Sequence, residues 1–166
     1  SWQTPPSMAL GVRASMEVAA EKGFRFIEFV QPRDEVLKSV RAYLRDVKNI
    51  PSPYHRKSDG SLDPAATRGK KLFAQAGCAD CHTPPLYTDL KMYAVGTRTN
   101  RNLKGRKEFD TPTLIELYRT GPYLHDGRAA TLADVITTCN PDDEHGATSK
   151  LTAAQKADLV AFLMSL

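Results

Sequence analysis

The residues with the clearest chemistry are Cys78 and Cys81, two thiols three positions apart, followed at once by the imidazole of His82. The run Cys78-Ala79-Asp80-Cys81-His82 reads C-x-x-C-H, the attachment sequence of a c-type haem. The spacing has a plain reason. Two thiols add across the two vinyl groups of one porphyrin, and the next residue's imidazole reaches the iron as proximal ligand. Two other readings fail on context. A zinc site wants a second C-x-x-C or an H-x-x-x-H, and the chain has neither. A thioredoxin-like pair follows a strand in a β-α-β pattern, which is absent here. One covalent haem c, with its iron, is the expected cofactor.

Haem is attached covalently outside the cytoplasmic membrane, so the motif implies a periplasmic or otherwise exported chain. With Cys78 and Cys81 consumed, Cys139 is left unpaired in an oxidising compartment. It is a small buried hydrophobe, half of an intermolecular disulfide, or a thiolate ligand to the iron.

The elements that must position these groups are mostly helical. Asp63 reads as an N-cap with Pro64 at the first helical position, opening a helix that runs through Arg68, Gly69, Leu72 and Phe73 to Gly77. Gly69 and Phe73 share a face, so a second helix can approach closely while Phe73 packs beside the haem edge. That second helix is the last one. Thr152-Ala153-Ala154-Gln155 is a capping box, and Leu159, Val160, Phe162, Leu163 and Leu166 give it an apolar face. Met164 on this helix reads as core. Thr113–Arg119 and Thr131–Thr138 read as short helices, the latter capped by Thr131 with Asp134 three residues on.

Residues 83–107 read as irregular, with Pro84, Pro85, Gly96 and Gly105. Arg98, Arg101, Lys104, Arg106 and Lys107 make a basic stretch there, first of all a solvated loop and secondarily a docking patch or counter-charge for propionates. Upstream, Arg13–Glu21 reads as a helix ended by Gly23. Phe24, Phe26, Ile27, Phe29 and Val30 then form an apolar segment that needs a cover. Arg33–Lys48 reads as an amphipathic helix stopped by Pro51 and Pro53, with a polar linker to Gly60. The expected organisation is a helical segment at 1–60, a remnant of or linker to an upstream domain, and a monohaem domain at 61–166.

The chain has 166 residues, a hydrophobic fraction of 41% and a net charge of +4. That suffices for a core around a haem, and the mild charge suits an acidic protein partner without pointing to nucleic acid. Nothing approaches 18 consecutive apolar residues, so no membrane span is expected.

Three further runs occur in order: Phe109-Asp110-Thr111-Pro112-Thr113-Leu114, Thr120-Gly121-Pro122-Tyr123-Leu124-His125-Asp126-Gly127 and Ala130-Thr131-Leu132. With C-x-x-C-H they resemble the bacterial dihaem cytochrome c peroxidase and MauG-like family, over residues 62–166. The matching half carries that family's electron-transferring haem. The resemblance implies an all-α c-type cytochrome fold, with an extra helical segment before it. It also implies haem contacts from Phe73, Pro85, Pro112, Tyr123, Leu124 and His125. In that family the helix after the Tyr-x-His-x-Gly loop supplies the distal ligand, commonly Met and in MauG Tyr. The matching position here is Cys139.

The sequence thus sets His82 as proximal ligand and Cys139 as first choice for distal ligand, with Met92 and His125 as rivals. His145, after Asp142, Asp143 and Glu144, reads as an exposed residue. A thiolate ligand implies a low reduction potential. Electron transfer with a redox partner protein, an upstream domain or a second haem domain being candidates for it, is the leading function. Peroxide reduction with a second haem is the alternative, with His125 and Asp126 as nearest acid/base groups. Small-ligand sensing through a displaceable sixth ligand is a third.

Overall fold

The computed structural model describes residues 16–96 and 108–166. The basic stretch Arg98–Lys107 therefore lies outside the described residues, as do Arg13 to Ser15 of the first expected helix. Six α-helices are described, α1 (Met16–Phe26), α2 (Asp34–Asp46), α3 (Pro64–Gln75), α4 (Cys78–Cys81), α5 (Leu132–Val135) and α6 (Ala153–Met164), with a 3₁₀ turn at Leu117–Arg119. The expected predominantly helical architecture holds, with one addition. Two-residue strands β1 (Met92–Tyr93) and β2 (Phe109–Asp110) pair antiparallel across the segment read as irregular.

The part that carries the C-x-x-C-H turn is organised by α3 lying against α6. Both helices begin as their residues dictate. The Asp63 carboxylate accepts the Ala66 N–H at 2.8 Å, and Thr152 and Gln155 close a reciprocal capping box. Gly69 sits where the helices touch. A Cβ there would run into the Asp158 carbonyl oxygen and lie 2.8 Å from Phe162 Cβ. Phe73 packs edge-on against Phe162 at 5.3 Å, inside a core completed by Ala66, Leu114, Leu132, Ile136, Leu159 and Leu163. Burying a Phe or Leu side chain here stabilises by about 1.5–3 kcal/mol each.

Four expectations are corrected. Helix α1 runs through Gly23 to Phe26, because one glycine inside a helix costs only about 1 kcal/mol and does not by itself end it. The apolar segment after it is not covered by the other described residues: Ile27 is 73% and Phe29 86% exposed. Residues 113–114 are irregular and 115–116 a turn, so only the 3₁₀ turn remains of the helix expected there. Helix α5 lasts one turn. The Thr137 and Thr138 hydroxyls bond the carbonyls of Ala133 and Asp134 four residues back, and the chain continues in turns to Cys139.

Helices α1 and α2 pack on each other and on no other described element. The linker behind them is tied to α6. Ser52 Oγ donates to the Met164 carbonyl at 2.6 Å, the Arg56 guanidinium donates to the Ser165 carbonyl, and Tyr54 packs on Tyr118.

Candidate haem site

Gly77, at φ +76°, turns the chain out of α3 and into α4. Cys78 and Cys81 are the first and last residues of that single turn, and both are free thiols. Burial pushes the Cys78 thiol up to about 11 and raises Cys81 as well, so both stand as protonated thiols at neutral pH. His82 closes the turn, its N–H donating to the Cys78 carbonyl at 2.9 Å.

The His82 ring is aimed. Its Nδ1 lies 3.0 Å from the Tyr87 carbonyl oxygen, which only accepts, so Nδ1 carries the proton and Nε2 keeps its lone pair. Burial lowers the His82 pKa, opposed by its contacts with the Tyr87 and Pro112 carbonyls, and leaves the imidazole neutral. A neutral imidazole oriented by a hydrogen bond at its other nitrogen is what a metal requires.

The ring that faces His82 belongs to His145, at 6.3 Å between centroids and 45° between planes. This corrects the reading of His145 as exposed: its Nδ1 is buried without a hydrogen-bond partner. Burial, with His82 adding to it, lowers its pKa to about 4. Its loop is fixed from both sides. The Asn140 side chain accepts the His145 N–H at 2.8 Å and donates to the Gly146 carbonyl at 2.8 Å, while the Ala147 N–H donates to the Ala76 carbonyl. His145 and Asn140 are the functional candidates that sequence reasoning missed or discounted. The available signal was Gly146 with Thr148 and Ser149, turn formers that follow the acids directly.

The other candidates are placed as follows. Cys139 is half-buried; its N–H donates to the Asp134 carbonyl, and its Sγ lies 4.0 Å from Thr138 Oγ1. Met92 is half-buried opposite Asp110 in the small ladder. His125 stacks on Phe109 at 4.0 Å, and both its ring nitrogens are buried without partners. Burial lowers its pKa. Tyr123 bridges to Ala129, its hydroxyl donating to the Leu117 carbonyl, and Leu124 beside it has φ +68°. Phe73 is buried between Phe162 and Tyr87, whereas Pro85 and Pro112 are exposed.

The donor set fits haem c. Two free thiols one turn apart and a neutral, oriented imidazole are the three attachments that a covalent haem takes. Among the described residues no group of three or more His, Cys, Asp or Glu side chains forms a separate metal cluster. No described helix is long and apolar enough to cross a membrane.

Known proteins agree with this chemistry. Residues 66–166 match the family model described as cytochrome c. Hydrazine synthase subunit gamma of Kuenenia stuttgartiensis is 34% identical over 172 residues, covering 78% of this chain and 48% of that protein. The cytochrome-c peroxidase IdrP1 of a Pseudomonas species (strain SCT) is 26% identical, covering 80% of this chain and 49% of that protein. MauG proteins match as well. A solved chain of Kuenenia stuttgartiensis hydrazine synthase superposes with a TM-score of 0.86 at 28% identity, covering 99% of this chain and 69% of that one. The chain spans about half the length of the curated relatives it matches. With its C-x-x-C-H turn, its helical frame and these relatives of the peroxidase and MauG kind, the chain belongs to the cytochrome c family, whose prosthetic group is covalently bound haem c.

Proposed function

We propose that this chain is an exported, periplasmic electron-transfer domain that holds one haem c and relays electrons to a redox partner protein. On this reading residues 61–166 form the haem domain and residues 1–60 connect it to a neighbouring domain. When bound, haem c supplies a one-electron iron couple. The chain's residues do the rest. Cys78 and Cys81 anchor the porphyrin edge to α4, and the Tyr87 carbonyl keeps the His82 ring in one tautomer and one orientation.

The observation that carries the reading is a second imidazole, His145, facing His82 at 6.3 Å. Position relative to the Tyr123-Leu124-His125-Asp126-Gly127 loop favours Cys139 as sixth ligand, and the geometry favours His145. Either side chain, with His82, would hold the iron from its second side and leave no open position for a substrate. Either donor also gives a lower potential than a thioether, because methionine ligation raises it.

Peroxide reduction beside a second haem is the other reading, favoured by the cytochrome-c peroxidases among the relatives. Asp126 supports it poorly. Burial pushes its carboxyl up, but Arg128, with Nε 3.1 Å from both carboxylate oxygens, holds it below the usual range and therefore ionised. An ionised carboxylate can take a proton from peroxide but arrives with none to give to the leaving oxygen.

Anaerobic stopped-flow separates the two. The reduced protein is mixed with ferricyanide or with hydrogen peroxide. A relay is reoxidised rapidly by ferricyanide, at least about a hundredfold more slowly by peroxide, and shows no catalytic turnover. Comparable rates with sustained peroxide consumption would overturn the relay in favour of the peroxidase.

A further inference from the structure

We propose that His145 is the sixth iron ligand, held opposite His82 by a hydrogen-bonded bracket built on Asn140, Asp143 and Thr148. The proposal rests on the haem reading above and deepens it.

An imidazole nitrogen stands about 2 Å from the metal it ligates, so two rings on opposite sides of one metal have centroids about 6 Å apart. His82 and His145 meet that spacing at 6.3 Å. Packed aromatic rings reach the same distance, as Tyr87 and Phe162 do at 6.2 Å, so polarity decides. His82 spends Nδ1 on the Tyr87 carbonyl and keeps Nε2 for a metal. His145 has a buried ring nitrogen with no hydrogen-bond partner. Two apolar rings would leave no such debt, and a ring nitrogen turned to iron settles it.

The loop around His145 is built to hold a ligand still. Asn140 Oδ1 accepts the His145 N–H at 2.8 Å, and Nδ2 donates to Gly146 O at 2.8 Å, Thr148 Oγ1 at 3.0 Å and His145 O at 3.3 Å. The Asp143 carboxylate accepts the Thr148 and Ser149 N–H groups at 2.9 and 2.8 Å. Thr148, fully buried, donates its hydroxyl to the Ile136 carbonyl at 2.8 Å. Gly146, at φ +88°, lets the loop close onto α4: a Cβ there would lie 3.3 Å from Cys78 Sγ and from the Ala76 carbonyl oxygen. The segment bearing His145 and the turn bearing Cys78 are thus one packed unit.

The test uses the haem-loaded protein as wild type, His145→Ala, His145→Met and Cys139→Ser. Ferric EPR and near-infrared magnetic circular dichroism read the axial pair directly. A bis-imidazole low-spin signal is expected for wild type and for Cys139→Ser. His145→Ala becomes high-spin and returns to low-spin when imidazole is added. His145→Met keeps the loop filled, guards against misfolding, and shows a methionine-type charge-transfer band with a raised potential. A Cys139→Ser variant that turns high-spin while His145→Ala stays low-spin would overturn the proposal in favour of thiolate. Low-spin spectra unchanged in all variants would overturn it in favour of another ligand. A high-spin wild type would sink the relay reading itself, a result distinct from a low-spin iron indifferent to His145.

Discussion

At Asn140 one amide ties together three neighbours: its oxygen accepts from His145, and its nitrogen donates to His145, Gly146 and Thr148. Replacing it with alanine leaves those groups unpaired around a buried hydroxyl. Asn140→Ala should therefore destabilise by about 2 kcal/mol, seen as a lower urea midpoint at unchanged slope. An unchanged midpoint would show that the bracket is not needed to order its loop. Residues at this scale were unevenly legible. Cys78, Cys81 and His82 announce themselves because covalent chemistry fixes their spacing. His145 did not, because Asp142, Asp143 and Glu144 look like a solvated run. In the fold Asp143 takes φ +57° and turns its carboxylate onto the backbone of Thr148 and Ser149. A charge pattern does not say which acid turns inward.

Among the elements, the α3–α6 contact sets the frame, and it closes on Gly69. Gly69→Ala places a methyl against the Asp158 carbonyl and Phe162, and relief requires the helices to part. A loss of at least about 2 kcal/mol is expected by chemical denaturation; a neutral effect would mean that the two helices are free to shift. The same contact carries a pH dependence. The Arg68 guanidinium donates to both Asp158 carboxylate oxygens and holds that carboxyl below its usual value, with burial opposing. A carboxylate lowered in the fold stabilises above the ordinary Asp pKa of about 4, and the effect is lost as pH falls from there through the lowered folded-state value. The melting temperature should fall below about pH 5, and Arg68→Ala should remove part of the fall. Equal pH profiles for wild type and variant would contradict the linkage. Caps made these helices readable: Asp63 with Pro64, and Thr152 with Gln155, are local signals that the fold obeys. Helix α5 ended sooner than its pattern implied, since Thr137 and Thr138 compete for its carbonyls. Gly23 was read as a stop and is merely a weak point inside α1.

Taken as a whole molecule, the chain has a haem-bearing core and an upstream pair of helices attached through residues 50–56. The segment Phe26–Val30 lies outside that core and is exposed among the described residues, which sequence hydrophobicity alone does not reveal. Phe29→Ser should change stability by no more than about 0.5 kcal/mol and leave the haem spectrum untouched; a large loss would show that this segment supports the haem domain. The electron-relay reading rests on one claim, that protein side chains close both faces of the iron and leave it to pass electrons. The ferric low-temperature EPR spectrum of the wild-type protein tests that claim most directly. A low-spin signal with no high-spin component is the predicted result. A dominant high-spin signal, the mark of an open iron face, would contradict it.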